Sequence, residues 1–287
     1  MRLFLVPVST RRTLLYAQRL GVTTKEQAAA SPLDRAVAFA ARTWAGWEKR
    51  ERGWQRRVVD YGNHAFRRIP FPEWGLKSVP PLSARRRAEE LAGRDDGGKV
   101  EVVFPASVIP EAEVESVARR LATERQALHR RQMMWCFAGM PITLPFALVP
   151  VIPNLPFFYL AYRAFSNWRA IAGGKHVQWL LDNKLLVPAP SKALDLVYAQ
   201  SRALVGGGKA KVDPEAKEEI LLTHAQIRTC TDALGIPELE TELDRAVWQI
   251  EEEFRKEEQK KQAGASSSPS KPPEEKKTGA NDNKKNQ

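Results

Sequence analysis

The chain has 287 residues, 43% of them hydrophobic, with a formal net charge of +11 and a mean hydropathy of -0.42. That length holds one or two ordinary domains, and the hydropathy excludes a multi-spanning transporter while leaving room for one membrane region. Two cysteines, Cys136 and Cys230, form no CxxC or Cys/His ligand spacing. They exclude a disulfide framework and point to no metal or other cofactor. The basic excess lies before Asp213, and the remainder is net acidic. Such a field suits an anionic lipid surface or a nucleic acid as partner of the first three-quarters.

The opening stretch "MRLFLVPVSTRRTLLYAQRLGVTTK" is Arg-rich and has no acid before Glu26, the composition of a mitochondrial import signal. "RLFLVPVS" also reads as a buried strand, and "KVEVVFP" from Lys99 as a second, so the two can pair as a small two-stranded sheet. Residues 33–69 carry Trp44, Trp47, Trp54, Val58 and Tyr61 at steps of mostly three and four, beside a basic face. The spacing predicts one long amphipathic helix, either core-facing or lying in a membrane interface. "RRIPFPEWGLKSVPPLS" is dense in proline and predicts an irregular connector. A helix follows from Glu111 to Arg131, with acids in its first turns and "HRR" at its end, in accord with the helix dipole.

Between Arg131 and Arg163 there is no Asp, Glu, Lys, Arg or His. One membrane span needs about 20 apolar residues and two need about 40, and this run falls between. Pro150, Pro153 and Pro156 surround Asn154, which forces a turn. Asn154 can cap a new helix with Pro156 in its first turn. The expectation is a proline-rich membrane hairpin over 132–168, with arms Met133–Val149 and Leu155–Trp168; a single kinked span comes second. Trp135 and Trp168 would lie near the headgroups, with Arg130, Arg131, Arg163 and Arg169 as basic flanks, Arg163 snorkelling outward. Pro141 and Pro145 would free the carbonyls of Phe137 and Pro141, for which Thr143, water or a neighbour must compensate. Tyr159 lies within the second arm.

Beyond this run, "SKALDLVYAQSRAL" and "DPEAKEEILLTHAQIRTC" predict two helices. A last helix places Leu239, Leu243, Ala246, Val247, Ile250 and Phe254 on one face. The glycine runs at 173–174 and 206–208 read as hinges or helix stops. The organisation expected is therefore a basic, mostly helical region 1–131, the membrane segment 132–168, a helical region 169–259 and a disordered tail 260–287. The fold class is mainly α-helical.

Three blocks carry a family resemblance: "MRLFLVPVSTRRTLLY", "RRIPFPEWGLKSVPPL", and "MMWCFAGMPITLPFALVPVIPNLPFFYLAYRAFSNWRA" followed by "GGKH". Over about residues 1–205 the chain resembles the fungal mitochondrial potassium–proton exchange-related proteins. The resemblance implies an inner-membrane location and a part in potassium–proton exchange and matrix volume control. It carries over no catalytic residue.

An antiporter needs a carboxylate or histidine in the membrane, and Gln132–Tyr162 has none. A subunit or regulator of an exchange complex, in contact with anionic lipid and other membrane proteins, fits better than the exchanger itself. The alternative is a membrane-anchored adaptor for RNA or ribosomes. Nucleic-acid binders expose aromatics among basic residues on sheets, whereas these tryptophans ride on helices, so nucleic acid is disfavoured. His64, His129, His176 and His224 stand without a hydrolase, metalloprotease or phosphate-loop motif, so no enzyme and no small-molecule substrate is expected.

Overall fold

The computed structural model describes residues 1–18, 32–84, 87–88, 91, 99–143, 145, 154–205 and 218–266. Strand β1 (Arg2–Pro7) turns back into β2 (Thr13–Gln18) as an antiparallel hairpin, Leu5 opposite Leu15. Within the turn, the Val8 and Ser9 amides donate to the Arg12 carbonyl, and the Ser9 hydroxyl accepts from the Arg12 amide. β3 (Val100–Phe104) lies parallel to β1, and β4 (Leu186–Pro190) parallel to β3, giving the order β2-β1-β3-β4. The expected pairing of the first and third strands is present, but the sheet has four strands and not two. Leu3, Phe4, Leu5 and Val6 are all buried, as a central strand covered on both faces requires. Pro188 and Pro190 fit in β4 because an edge strand leaves one row of amides unpaired.

Helices follow in the order α1 (Pro32–Glu48), α2 (Trp54–Arg67), α3 (Phe71–Ser78), α4 (Val114–Thr123), α5 (Gln126–Thr143), α6 (Leu155–Asp182), α7 (Lys192–Val205), α8 (His224–Leu234) and α9 (Leu239–Ser266). The single helix expected over 33–69 is two, broken before Gly53, whose φ of 117° favours glycine. Trp44 packs against Gly62 and the ring of Phe66, so α1 folds back along α2. The connector is not wholly irregular either. Pro72 sits in the first turn of α3, where its missing N–H removes no helical bond. The helix expected over 111–131 is a short 3-10 turn and α4, with "HRR" passing into α5. In the acidic C-terminal part, α8 opens only at a Thr223–Gln226 capping box. Ile220 instead bridges to Ser9, while 213–217 lie outside the described residues.

α6 runs through the expected hinge at 173–174 without breaking. A Cβ on Gly173 would meet the Leu76 carbonyl oxygen at 2.0 Å, and one on Gly174 the Ala122 carbonyl at 2.6 Å. These glycines let α3 and α4 approach α6 at backbone distance; they are contacts and not joints. The other glycine run, 206–208, lies outside the described residues. The sheet and these helices enclose a core that includes Leu3, Leu5, Val102, Phe104, Val177 and Leu180. Leu239, Leu243, Ala246, Val247 and Ile250 are fully buried on one face of α9.

The chain divides into two compact units, Met1–Ile250 and Glu251–Gln287. In the second, Glu252 pairs with Arg255 and Lys256, and the helix runs to Ser266 where disorder was expected from 260. The rest of that expected tail, 267–287, lies outside the described residues.

Candidate functional site

α5 and α6 pack antiparallel, and polar or small residues form the seam. His129 Nδ1 lies 2.9 Å from Asn167 Oδ1, Arg163 Nη2 donates to Gln132 Oε1 at 3.3 Å, Gly139 faces Leu160, and Asn154 Nδ2 donates to the Thr143 carbonyl at 2.6 Å. On α5 the inward residues His129, Gln132, Cys136, Gly139 and Thr143 step by three and four, a helical stripe. Between Met133 and Tyr162 the described outward-facing residues are apolar. Ile142 is 75% exposed and Trp135 67%, with Met134, Phe137, Phe158 and Tyr159 also exposed. The polarity is thus inverted relative to an ordinary soluble helix pair. It is the arrangement of helices whose outer face meets lipid, where small and polar residues hold the seam.

At the base of this seam lies Glu73 of α3, fully buried. Its Oε1 accepts from Arg163 Nη1 at 2.6 Å and from the Ser166 hydroxyl. Its Oε2 lies 3.9 Å from His129 Nδ1 and has no hydrogen-bond partner among the described residues. Asn167 Nδ2 donates to the Arg163 carbonyl, which turns Oδ1 toward His129. His129 Nδ1 then carries the proton, and Nε2 is left buried without a partner among the described residues. Burial holds the His129 pKa below the ordinary 6.5 against the Asn167 bond and the Glu73 charge, with Arg125 and Arg163 lowering it further. On the next turn of α3, Lys77 Nζ donates to the Tyr162 hydroxyl at 3.1 Å and lies 3.5 Å from the Trp74 ring centre. Burial lowers its pKa to about 8.

Arg163 therefore does not snorkel outward: a buried carboxylate draws it inward. Of the other flanks, Arg130, Arg131 and Trp168 are exposed, and Arg169 is half-buried with a donor toward the Lys77 carbonyl. The helix of the first arm is described to Thr143, and residues 146–149 of the expected arm lie outside the described residues. Pro141 is inside α5, Thr143 Oγ1 donates to the Met140 carbonyl at 2.7 Å, and Pro145 is exposed just beyond. Asn154 Oδ1 caps α6 by accepting from the Phe157 amide, with Pro156 in the first turn. Pro150 and Pro153 lie outside the described residues.

Among the described residues no helix is long and apolar enough to cross a membrane, so the expected transmembrane helix is not found. α5 carries Arg130 and Arg131 in its first half, and Arg163 interrupts the apolar part of α6. Glu73 and His129 are what the sequence reading missed. Both lie outside the uncharged run, and only the fold brings them to its base. His176 donates from Nδ1 to the Pro80 carbonyl at 2.8 Å, and His224 Nδ1 lies 2.8 Å from Asp244 Oδ1.

A family model described as mitochondrial K+-H+ exchange-related matches residues 2–181, which include the sheet's first three strands, the hairpin and Glu73. An uncharacterised protein of Saccharomyces cerevisiae is 23% identical over 265 residues, 85% of this chain and 82% of its own. An uncharacterised protein of Schizosaccharomyces pombe is 26% identical over 175 residues, 60% of this chain and 72% of its own. No solved structure matches the chain.

Glu73→Gln strands the Arg163 charge and should destabilise the fold by about 3–5 kcal/mol, whereas Glu73→Leu with Arg163→Met should recover most of that loss. Denaturant unfolding of the three variants checks it. The histidine gives a pH signature. Its folded pKa lies below the unfolded 6.5, so the unfolded chain takes up the proton first as pH falls. Stability is unaffected by His129 above pH 6.5 and declines below it. The drop in Tm between pH 7 and pH 5 should be smaller in His129→Gln than in the wild type.

Proposed function

Because the chain belongs to the mitochondrial K+-H+ exchange-related family, we propose that it serves this exchange at the inner membrane, as a subunit or regulator seated in one leaflet by the α5–α6 hairpin. The inverted polarity of the hairpin carries the reading. Met133 to Thr143 rises about 16 Å as a helix and Leu155 to Tyr162 about 12 Å, against about 30 Å of hydrocarbon. The described lengths fit entry into one leaflet. Exposed Arg130 and Arg131 stand where the first arm begins, suited to anionic headgroups.

The chemistry of the base favours a supporting role over complete exchange. Glu73 is the carboxylate nearest the seam, and Arg163 already neutralises it. A cation entering there would have to displace a guanidinium. Transport through the protein alone would also need two halves that alternate around a central site. The exposed apolar face suits contact with lipid and with the membrane protein that performs the exchange.

Trp135→Glu with Phe137→Glu places two charges on the outer face, at about 2–3 kcal/mol each in a bilayer. Both side chains are exposed, so far-UV circular dichroism should not change. Flotation with phospholipid vesicles should be lost, and mitochondria carrying the variant should swell more slowly in potassium acetate. Flotation equal to wild type would refute the membrane seat.

A further inference from the structure

A cleft of about 540 Å³ opens between α2, Trp74 of α3 and Arg245 of α9. Its floor is aromatic, formed by Phe66 and Trp74, and its polar wall carries His64, Arg67 and Arg245. Arg245 stacks 4.3 Å from the Trp74 ring centre and is ion-paired to Glu242. Arg67 is exposed; its guanidinium carbon lies 5.7 Å from the Trp248 ring, and it has no carboxylate partner among the described residues. The acid on the wall, Asp60, is held by Arg56 at 3.0 Å. A guanidinium held by rings and not by carboxylates keeps its N–H fork available for an anion.

The position of the cleft is as informative as its lining. The Phe66 ring lies 4.7 Å from that of Tyr162, the last residue of the apolar arm of α6. Lys77, 3.5 Å from the Trp74 ring centre, adds a third cation. The cleft therefore abuts the hairpin at the level where apolar side chains give way to charged ones, the level of headgroups if the hairpin enters a leaflet.

We infer that this cleft is a binding site for a phosphate ester, with the Arg67 fork on its oxygens and the Arg245–Trp74 stack beside it, occupied by the headgroup of an anionic phospholipid. The aromatic floor takes the glycerol, and the acyl chains leave past Phe66 and Tyr162 into the bilayer. The lipid assignment rests on the seating of the hairpin proposed above; the phosphate chemistry does not.

The test titrates the full chain, followed by tryptophan fluorescence, with dihexanoyl phosphatidylglycerol below its micelle concentration, dihexanoyl phosphatidylcholine and inorganic phosphate. Phosphatidylglycerol should saturate, phosphatidylcholine should bind more weakly, and Arg67→Gln should lose about fivefold in affinity for the anionic lipid. Arg120→Gln, exposed on α4 and not part of the cleft lining, should titrate like wild type. Equal losses in the two variants would mean diffuse charge and overturn the site. Inorganic phosphate binding as tightly as the lipid would overturn the lipid assignment. Trp135→Glu with Phe137→Glu should still titrate, because these probes need no bilayer. A failure of the membrane seat is thereby told apart from a failure of the site.

Discussion

The ion pair between Glu73 and Arg163 fixes where the protein body ends and the apolar hairpin begins. A fully buried carboxylate needs a cation or a set of donors, and Glu73 takes both, from Arg163 and Ser166. The consequence reaches beyond α3. Arg163 would otherwise be free to extend toward water, and the apolar arm of α6 could slide or tilt past it. Held inward, it sets the register of α6 against α3 and, through Gln132, against α5. His129 and Asn167 complete the lock from the other side of the seam. A buried pair of this kind is better evidence for a specified geometry than for net stability.

Above that lock the hairpin obeys a different solvent rule from the body below it. In the body, strands and helices turn apolar residues inward, as with Leu3, Phe104, Val177 and Leu180. In the hairpin, glycine, threonine, cysteine and asparagine meet at the seam while tryptophan, phenylalanine and isoleucine face out. In water such a face would be costly, at about 25 cal/mol per Å² of apolar surface left exposed. Contact with lipid or with a membrane partner, as proposed, would remove that cost. The close packing of α6 on α3 and α4 through Gly173 and Gly174 makes the base rigid enough to present the hairpin as a unit.

Much of this was legible in the residues, and the exceptions share a physical cause. The strands of "RLFLVP" and "VEVVF" read directly from their β-branched and apolar runs. β2 was obscured because "TLLYAQ" sits in an Arg-rich, acid-free opening that also fits an import signal. β4 and α3 were obscured by prolines, at an edge strand and in a helix's first turn, the two places where proline does no harm. At the hairpin, a search for apolar periodicity finds none because the periodic stripe is the polar one: His129, Gln132, Cys136, Gly139, Thr143. The acid–base pair was invisible for another reason. Glu73 and Arg163 lie ninety residues apart, and only the approach of α3 to α6 joins them.

The depth of the hairpin in a bilayer tests this account most directly. A nitroxide label at Ile142, exposed near the end of α5, would be measured by paramagnetic relaxation in vesicles against a label at Arg131. The account predicts Ile142 within the hydrocarbon of one leaflet, reached by oxygen and shielded from a water-soluble nickel chelate on either side, with Arg131 at the aqueous surface. A label at Ile142 relaxed by chelate confined to the opposite compartment, or one as fully aqueous as Arg131, would contradict it.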